Sequence, residues 1–150
     1  MMATTSAAAG TSTERELTTG GIFKGAAIGA AVGAVGNALL FFVASAAGVS
    51  MVAELMKGQP ATALPVGQVI VASFVPAIGA ALLALVLNRV SSKPSRILTG
   101  VAAGFGLLSM MGPATLPLAE PGMRVVLALM HVVSGVAITG GILRFGRRAA

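Results

Sequence analysis

The chain has 150 residues, 56% of them hydrophobic and only 9% charged, with ten Lys and Arg against four Glu and a net charge of +6. A soluble domain carries about 25% charged residues, so this chain lacks the polar surface that keeps a protein dissolved, and its length sets a single domain. With no Cys, disulfides, thiolate metal sites and cysteine nucleophiles are excluded.

Residues 1–21 are rich in Ala, Thr, Ser and Gly and read as a disordered tail. They do not resemble a cleaved signal, because the charges of Glu14, Arg15, Glu16 and Lys24 cancel and the apolar run that follows is too long. The four-helix transmembrane domain is expected over 22–146. Its spans fall at about 25–48, 66–88, 97–116 and 123–143, each long enough for a hydrocarbon core about 30 Å thick.

The first span is built of small residues at four-residue spacing. Gly25, Gly29, Gly33 and Asn37 form one stripe, with Ala26, Ala30, Ala34 and Ala38 beside it. Lipid tails are as apolar as leucine, so helices in a bilayer are held by close backbone approach and interhelical hydrogen bonds. The stripe therefore faces another helix, within the bundle or in a second copy. A loop follows over about 49–64, and its 51–57 portion could rest on the membrane surface. Pro65 suits the first turn of the second helix. That helix has its own small stripe, Ala72, Pro76, Ala80 and Ala84, and Pro76 should kink it by removing the bond to the Ala72 carbonyl. A basic turn, Arg89 to Arg96, leads into the third helix, which carries Gly100 and Gly104 and closes near Gly112-Pro113. The fourth carries Gly135 in register with His131 and Thr139.

Orientation is read from the cations. The tail, the 89–96 turn and the C-terminus hold Arg15, Lys24, Arg89, Lys93, Arg96, Arg144, Arg147 and Arg148, and the opposite side only Lys57 and Arg124. That bias places both termini in the cytoplasm. The bases flank apolar spans, so membrane lipids, and not nucleic acid, are the expected partners.

One polar layer lies inside the spans. Asn37 is 13 residues after Lys24, Pro76 is 13 before Arg89, Ser109 is 13 after Arg96 and His131 is 13 before Arg144. At 1.5 Å per residue each lies about 20 Å from its anchor, near the midplane. Asn37 and His131 are the expected pair, since an amide and an imidazole can each donate and accept. The pair reads as structural glue between the first and fourth helices, or as a ligand or proton-sensitive site. His131 could also ligate a haem or chlorophyll-type pigment, but nothing else marks a pigment pocket, and no cofactor is expected.

Absent groups narrow the chemistry. No carboxylate falls within a span, which argues against a self-contained coupled pump. One His cannot make a zinc site, so no metal is expected. Ser109 or Ser134 near His131 lacks a third group to orient a base, so no catalytic residues are assigned.

Gly36-Asn37-Ala38 with Ala46-Ala47-Gly48, Met111-Gly112-Pro113 and Leu129-Met130-His131 occur in an order that resembles a family of small bacterial four-helix integral membrane proteins of unknown function, over about 22–144. The resemblance implies the same fold and leaves activity open. The expectation is a non-enzymatic multi-pass protein of the bacterial cytoplasmic (inner) membrane. It serves as an accessory or scaffold subunit packing with itself, as a homo-oligomer, or within a larger membrane complex. The alternative is a small oligomeric transporter or channel with a polar midplane site. A water-accessible cavity at the polar layer would favour the alternative, and a dry, fully packed layer the scaffold.

Overall fold

A computed structural model describes residues 16–147, and the rest of the expected tail, residues 1–15, lies outside the described residues. The elements are α1 (Thr19–Ala46), a hairpin of β1 (Val52–Ala53) and β2 (Thr62–Ala63), α2 (Val66–Val90), α3 (Pro94–Ser109), α4 (Met111–Thr115) and α5 (Pro121–Gly146). Four helical segments, with α3 and α4 counted together, are long and apolar enough to cross a membrane.

The helix ends follow from local chemistry. Thr18 caps α1, its side chain accepting a bond of 3.1 Å from the Gly21 N–H. The helix therefore begins six residues before the expected start, and residues 16–18 belong to the fold, not to a loose tail. At the other end Gly48 takes φ +82°, Gly48 N–H bonds to Ser45 O and Val49 N–H to Ala44 O. This closes the last carbonyls in the left-handed turn that glycine makes without steric cost. Pro94 and Pro121 open α3 and α5 at positions where a missing N–H costs nothing. Near Met110 the third span breaks into α3 and α4: Pro113 has no N–H to offer the Ser109 carbonyl, so the regular ladder cannot run through. α2, by contrast, continues through Pro76 as one helix.

Both described ends of the chain meet the α2–α3 turn at one end of the bundle. Thr18 N–H donates to Gly146 O at 2.8 Å, and Leu17 bridges to Arg147. Asn88, near the end of α2, clamps the Leu17 peptide from both sides. Leu17 N–H donates to its Oδ1 at 3.0 Å, and its Nδ2 donates to Leu17 O at 2.6 Å. At the opposite end the loop expected to lie on the membrane surface folds back as the antiparallel hairpin, Val52 opposite Ala63. Met51, Ala53 and Leu64 are buried there against Ala119 and Met123, and Glu54 N–H donates to Pro117 O. Apolar burial and backbone pairing hold this segment over the helix ends.

α1 packs chiefly on α5 and next on α2, while α3 touches α2 and α5 more sparsely. The glycine stripe of α1 makes the α1–α5 contact. A Cβ on Gly25 would strike the Gly141 carbonyl, one on Gly29 the Ala137 carbonyl, and one on Gly33 would lie 3.4 Å from Ser134 Cα. The other glycines expected at packing faces do not pack. Nothing lies within 4 Å of a Cβ built on Gly100, Gly104 or Gly135. On α2 the buried stripe is Val69, Ser73, Ala77, Ala81 and Ala84, so Ala72 and Pro76 stand one position off it.

Two apolar clusters result. One, at the terminal end, includes Leu17, Ile22, Ala26, Ala81, Leu98 and Ile142; the other, at the hairpin end, includes Met51, Ala53, Val69, Met123 and Met130.

Candidate functional site

A polar seam separates the two clusters. On α2, Ser73 falls between Val69 of one cluster and Ala77 of the other. On α5, Ser134 falls between Met130 and Ile138. Four residues are about one helical turn, so both hydroxyls arrive on the buried face at the same level. Asn37 of α1 meets them there, only 4% exposed. Its Nδ2 donates to Ser73 Oγ at 3.0 Å and to Ser134 Oγ at 2.8 Å, and Ser73 Oγ donates to Val69 O at 3.0 Å. Asn37 thus ties three helices together. Its Oδ1 is buried and has no partner, a condition that costs about 1–3 kcal/mol when nothing meets the group.

The expected Asn37–His131 bond is not made. The smaller serine hydroxyls, one from each neighbouring helix, occupy the reach of the amide, and His131 bonds within its own helix. His131 Nδ1 lies 2.7 Å from Leu127 O. A carbonyl only accepts, so the proton of this bond is assigned to Nδ1. Ser109 Oγ likewise donates within its helix, to Gly106 O at 2.7 Å.

The four residues of the sequence-derived layer nevertheless share one feature. Asn37, Pro76, Ser109 and His131 all line a single cavity of about 590 Å³ between α2, α3 and α5. Ser73 and Ser134 complete its polar floor, and Gly106 and Gly135 leave it room. Val75 and Phe105 line it as well and are themselves largely exposed, so the cavity opens on the flank of the bundle. Among the described residues no Lys, Arg, Asp or Glu lines it. Binding pockets for small molecules run about 300–1,000 Å³, largely apolar with a few placed polar groups, and this cavity falls within that description.

Sequence reasoning named four residues that line one cavity and missed the bonding of Asn37. The Ser73 proton goes to Val69 O, not to the Ala72 carbonyl that Pro76 has no N–H to meet. The available signal was spacing: Ser134 lies three residues beyond His131, on the same side of α5. A second, smaller cavity of about 320 Å³ at the terminal end is lined by Glu16, Lys93, Arg96 and Arg147, and Ser95 Oγ donates to Glu16. Among the described residues no three His, Asp or Glu side chains gather as a metal centre would require.

Four helical segments of membrane-crossing length and composition, three of them tied by a buried amide–hydroxyl seam, fit a small multi-pass membrane protein. Residues 17–148 match the family described as "Family of unknown function (DUF6069)", and the chain belongs to that family. No curated protein and no solved structure matches the chain significantly.

Proposed function

We propose that this is a non-enzymatic protein of the bacterial cytoplasmic membrane, with both termini in the cytoplasm, that takes a small apolar molecule from the bilayer into the flank cavity as a compact carrier. The cavity is the observation that carries this reading. It gathers Asn37, Pro76, Ser109 and His131, one from each span, and it opens to the side past the exposed Val75 and Phe105. Intramembrane polar groups cost free energy and tend to be retained where they serve a pathway or a site. The cation asymmetry supports the orientation.

Gly135 supplies the test. It lines the cavity and has nothing within 4 Å of its Cβ position, so Gly135→Leu fills the space without a clash. The small apolar molecules that copurify with the wild-type protein in mild detergent should be lost from this variant at unchanged melting temperature. Identical copurifying molecules in both proteins would refute the reading.

A second reading, an accessory subunit that packs with itself or another membrane protein, is favoured by one observation. Gly100 and Gly104 form an uncovered small-residue face on α3. It predicts that Gly104→Leu changes the oligomeric state or complex size without touching the cavity.

A further inference from the structure

Asn37 Oδ1 specifies what the cavity would hold. The Ser73 proton goes to Val69 O, so toward Asn37 this hydroxyl accepts, and the amide atom facing it is the nitrogen. That assigns the partnerless atom as an oxygen, an acceptor that is buried and on a residue lining the cavity. Asn37 Oδ1 therefore lacks a donor.

Charge and size narrow the class further. With no cation or carboxylate among the described residues of the lining, a charged headgroup would enter hydrocarbon surroundings unpaired, which is strongly unfavourable. A water molecule's share of liquid volume is about 30 Å³. On that scale a cavity of about 590 Å³ holds at most roughly 20 non-hydrogen atoms. A whole two-chain phospholipid is too large; a single short chain with a small head fits.

We propose that the ligand is a neutral, single-chain amphiphile whose hydroxyl donates to Asn37 Oδ1, with its chain running outward past Val75 and Phe105. This assignment rests on the reading of the cavity as a binding site. A bilayer acyl tail that merely intrudes would leave Oδ1 unmet, so the two occupants differ in one hydrogen bond.

The experiment compares farnesol, farnesyl methyl ether and farnesyl phosphate on the full chain in nanodiscs, with occupancy read by native mass spectrometry at matched mole fraction in the lipid. Farnesol should bind about tenfold more tightly than the ether, which has no proton to give, and more tightly than the charged phosphate. Asn37→Leu should bring alcohol and ether to equal affinity. The wild-type ratio stands as a test even where that variant folds poorly. Equal binding of alcohol and ether by the wild type, or a preference that survives Asn37→Leu, would overturn the donor assignment and leave the cavity as an unselective apolar site. Tighter binding of the phosphate would overturn the requirement for neutrality. Failure of all three probes to bind would bring down the reading of the cavity as a binding site, and this assignment with it.

Discussion

Gly25 and Gly141 face each other backbone to backbone: a Cβ on either would strike the carbonyl oxygen of the other. Only glycine permits this approach, and it sets the spacing of the α1–α5 contact, the most extensive in the bundle. A leucine at Gly25 or Gly141 should destabilise the fold by about 1–3 kcal/mol or more, as overpacking in a tight contact does. Gly100→Leu, where nothing lies within 4 Å, should not. Melting curves in detergent decide the matter, and equal melting of Gly25→Leu and Gly100→Leu would show that α1 and α5 are not in this contact.

A second consequence concerns the segment that leads into α1. Asn88 satisfies both polar groups of the Leu17 peptide, and Leu17 is itself buried. Asn88→Leu removes both bonds and leaves a buried N–H and a buried C=O unmet, a loss of roughly 1–3 kcal/mol for each group left unpaired. The damage should be local. Amide hydrogen exchange at Leu17 should accelerate strongly in the variant, while the amides of α5 near Ser134 keep their protection. Unchanged exchange at Leu17 would mean that the clamp is not formed.

How much of this was legible in the sequence depends on which kind of signal each feature left. The spans were legible because length and the absence of charge are enough to mark a helix in hydrocarbon. Gly25, Gly29 and Gly33 were legible because a four-residue spacing of the smallest side chain has few other meanings. Gly100 and Gly104 show the same spacing and pack against nothing; a small-residue pattern says that close approach is allowed, not that it occurs. On α2 the expected stripe met the buried face at Ala84 but stood one position off it at Ala72, Pro76 and Ala80, because Ala is frequent on several sides of that helix and Ala72 and Ala81 carry the same local signal. The polar layer was found by counting residues from the flanking cations, which fixes depth. Bonding partners depend on rotation about the helix axes, which cation counting does not fix, and so His131 was named where Ser73 and Ser134 hold the amide.

The seam itself can be measured. Asn37 bonds both serines, and interhelical hydrogen bonds in membrane proteins average about 0.6 kcal/mol by double-mutant cycles. Asn37→Leu with Ser134→Ala should therefore show a coupling of that order, the double variant losing less than the sum of the singles. Asn37→Leu with His131→Leu should be additive, since these two side chains are not bonded to each other. Coupling at His131 in place of Ser134 would restore the pairing first expected from depth alone.

The last prediction separates what the fold requires from what the charges add. Thr18 and Gly146 are hydrogen-bonded, and Asn88 holds Leu17, so the described ends of the chain and the α2–α3 turn lie at one end of the bundle. The hairpin holding Thr62 lies at the other end. Ser92 and Thr62 are both exposed, so single cysteines at either site report their side of the membrane in a chain with no native Cys. The fold alone demands that Ser92→Cys and Thr62→Cys respond oppositely to a membrane-impermeant thiol reagent in intact cells. Six described cations at the terminal end, Lys24, Arg89, Lys93, Arg96, Arg144 and Arg147, against Lys57 and Arg124 at the hairpin end add the direction. Thr62→Cys should label from outside, and Ser92→Cys only after the membrane is permeabilised. The reverse pattern would keep the fold and invert the proposed orientation. Labelling of both sites from outside would contradict the bundle, because it would put the α2–α3 turn and the hairpin on the same side of the membrane that α2 is proposed to cross.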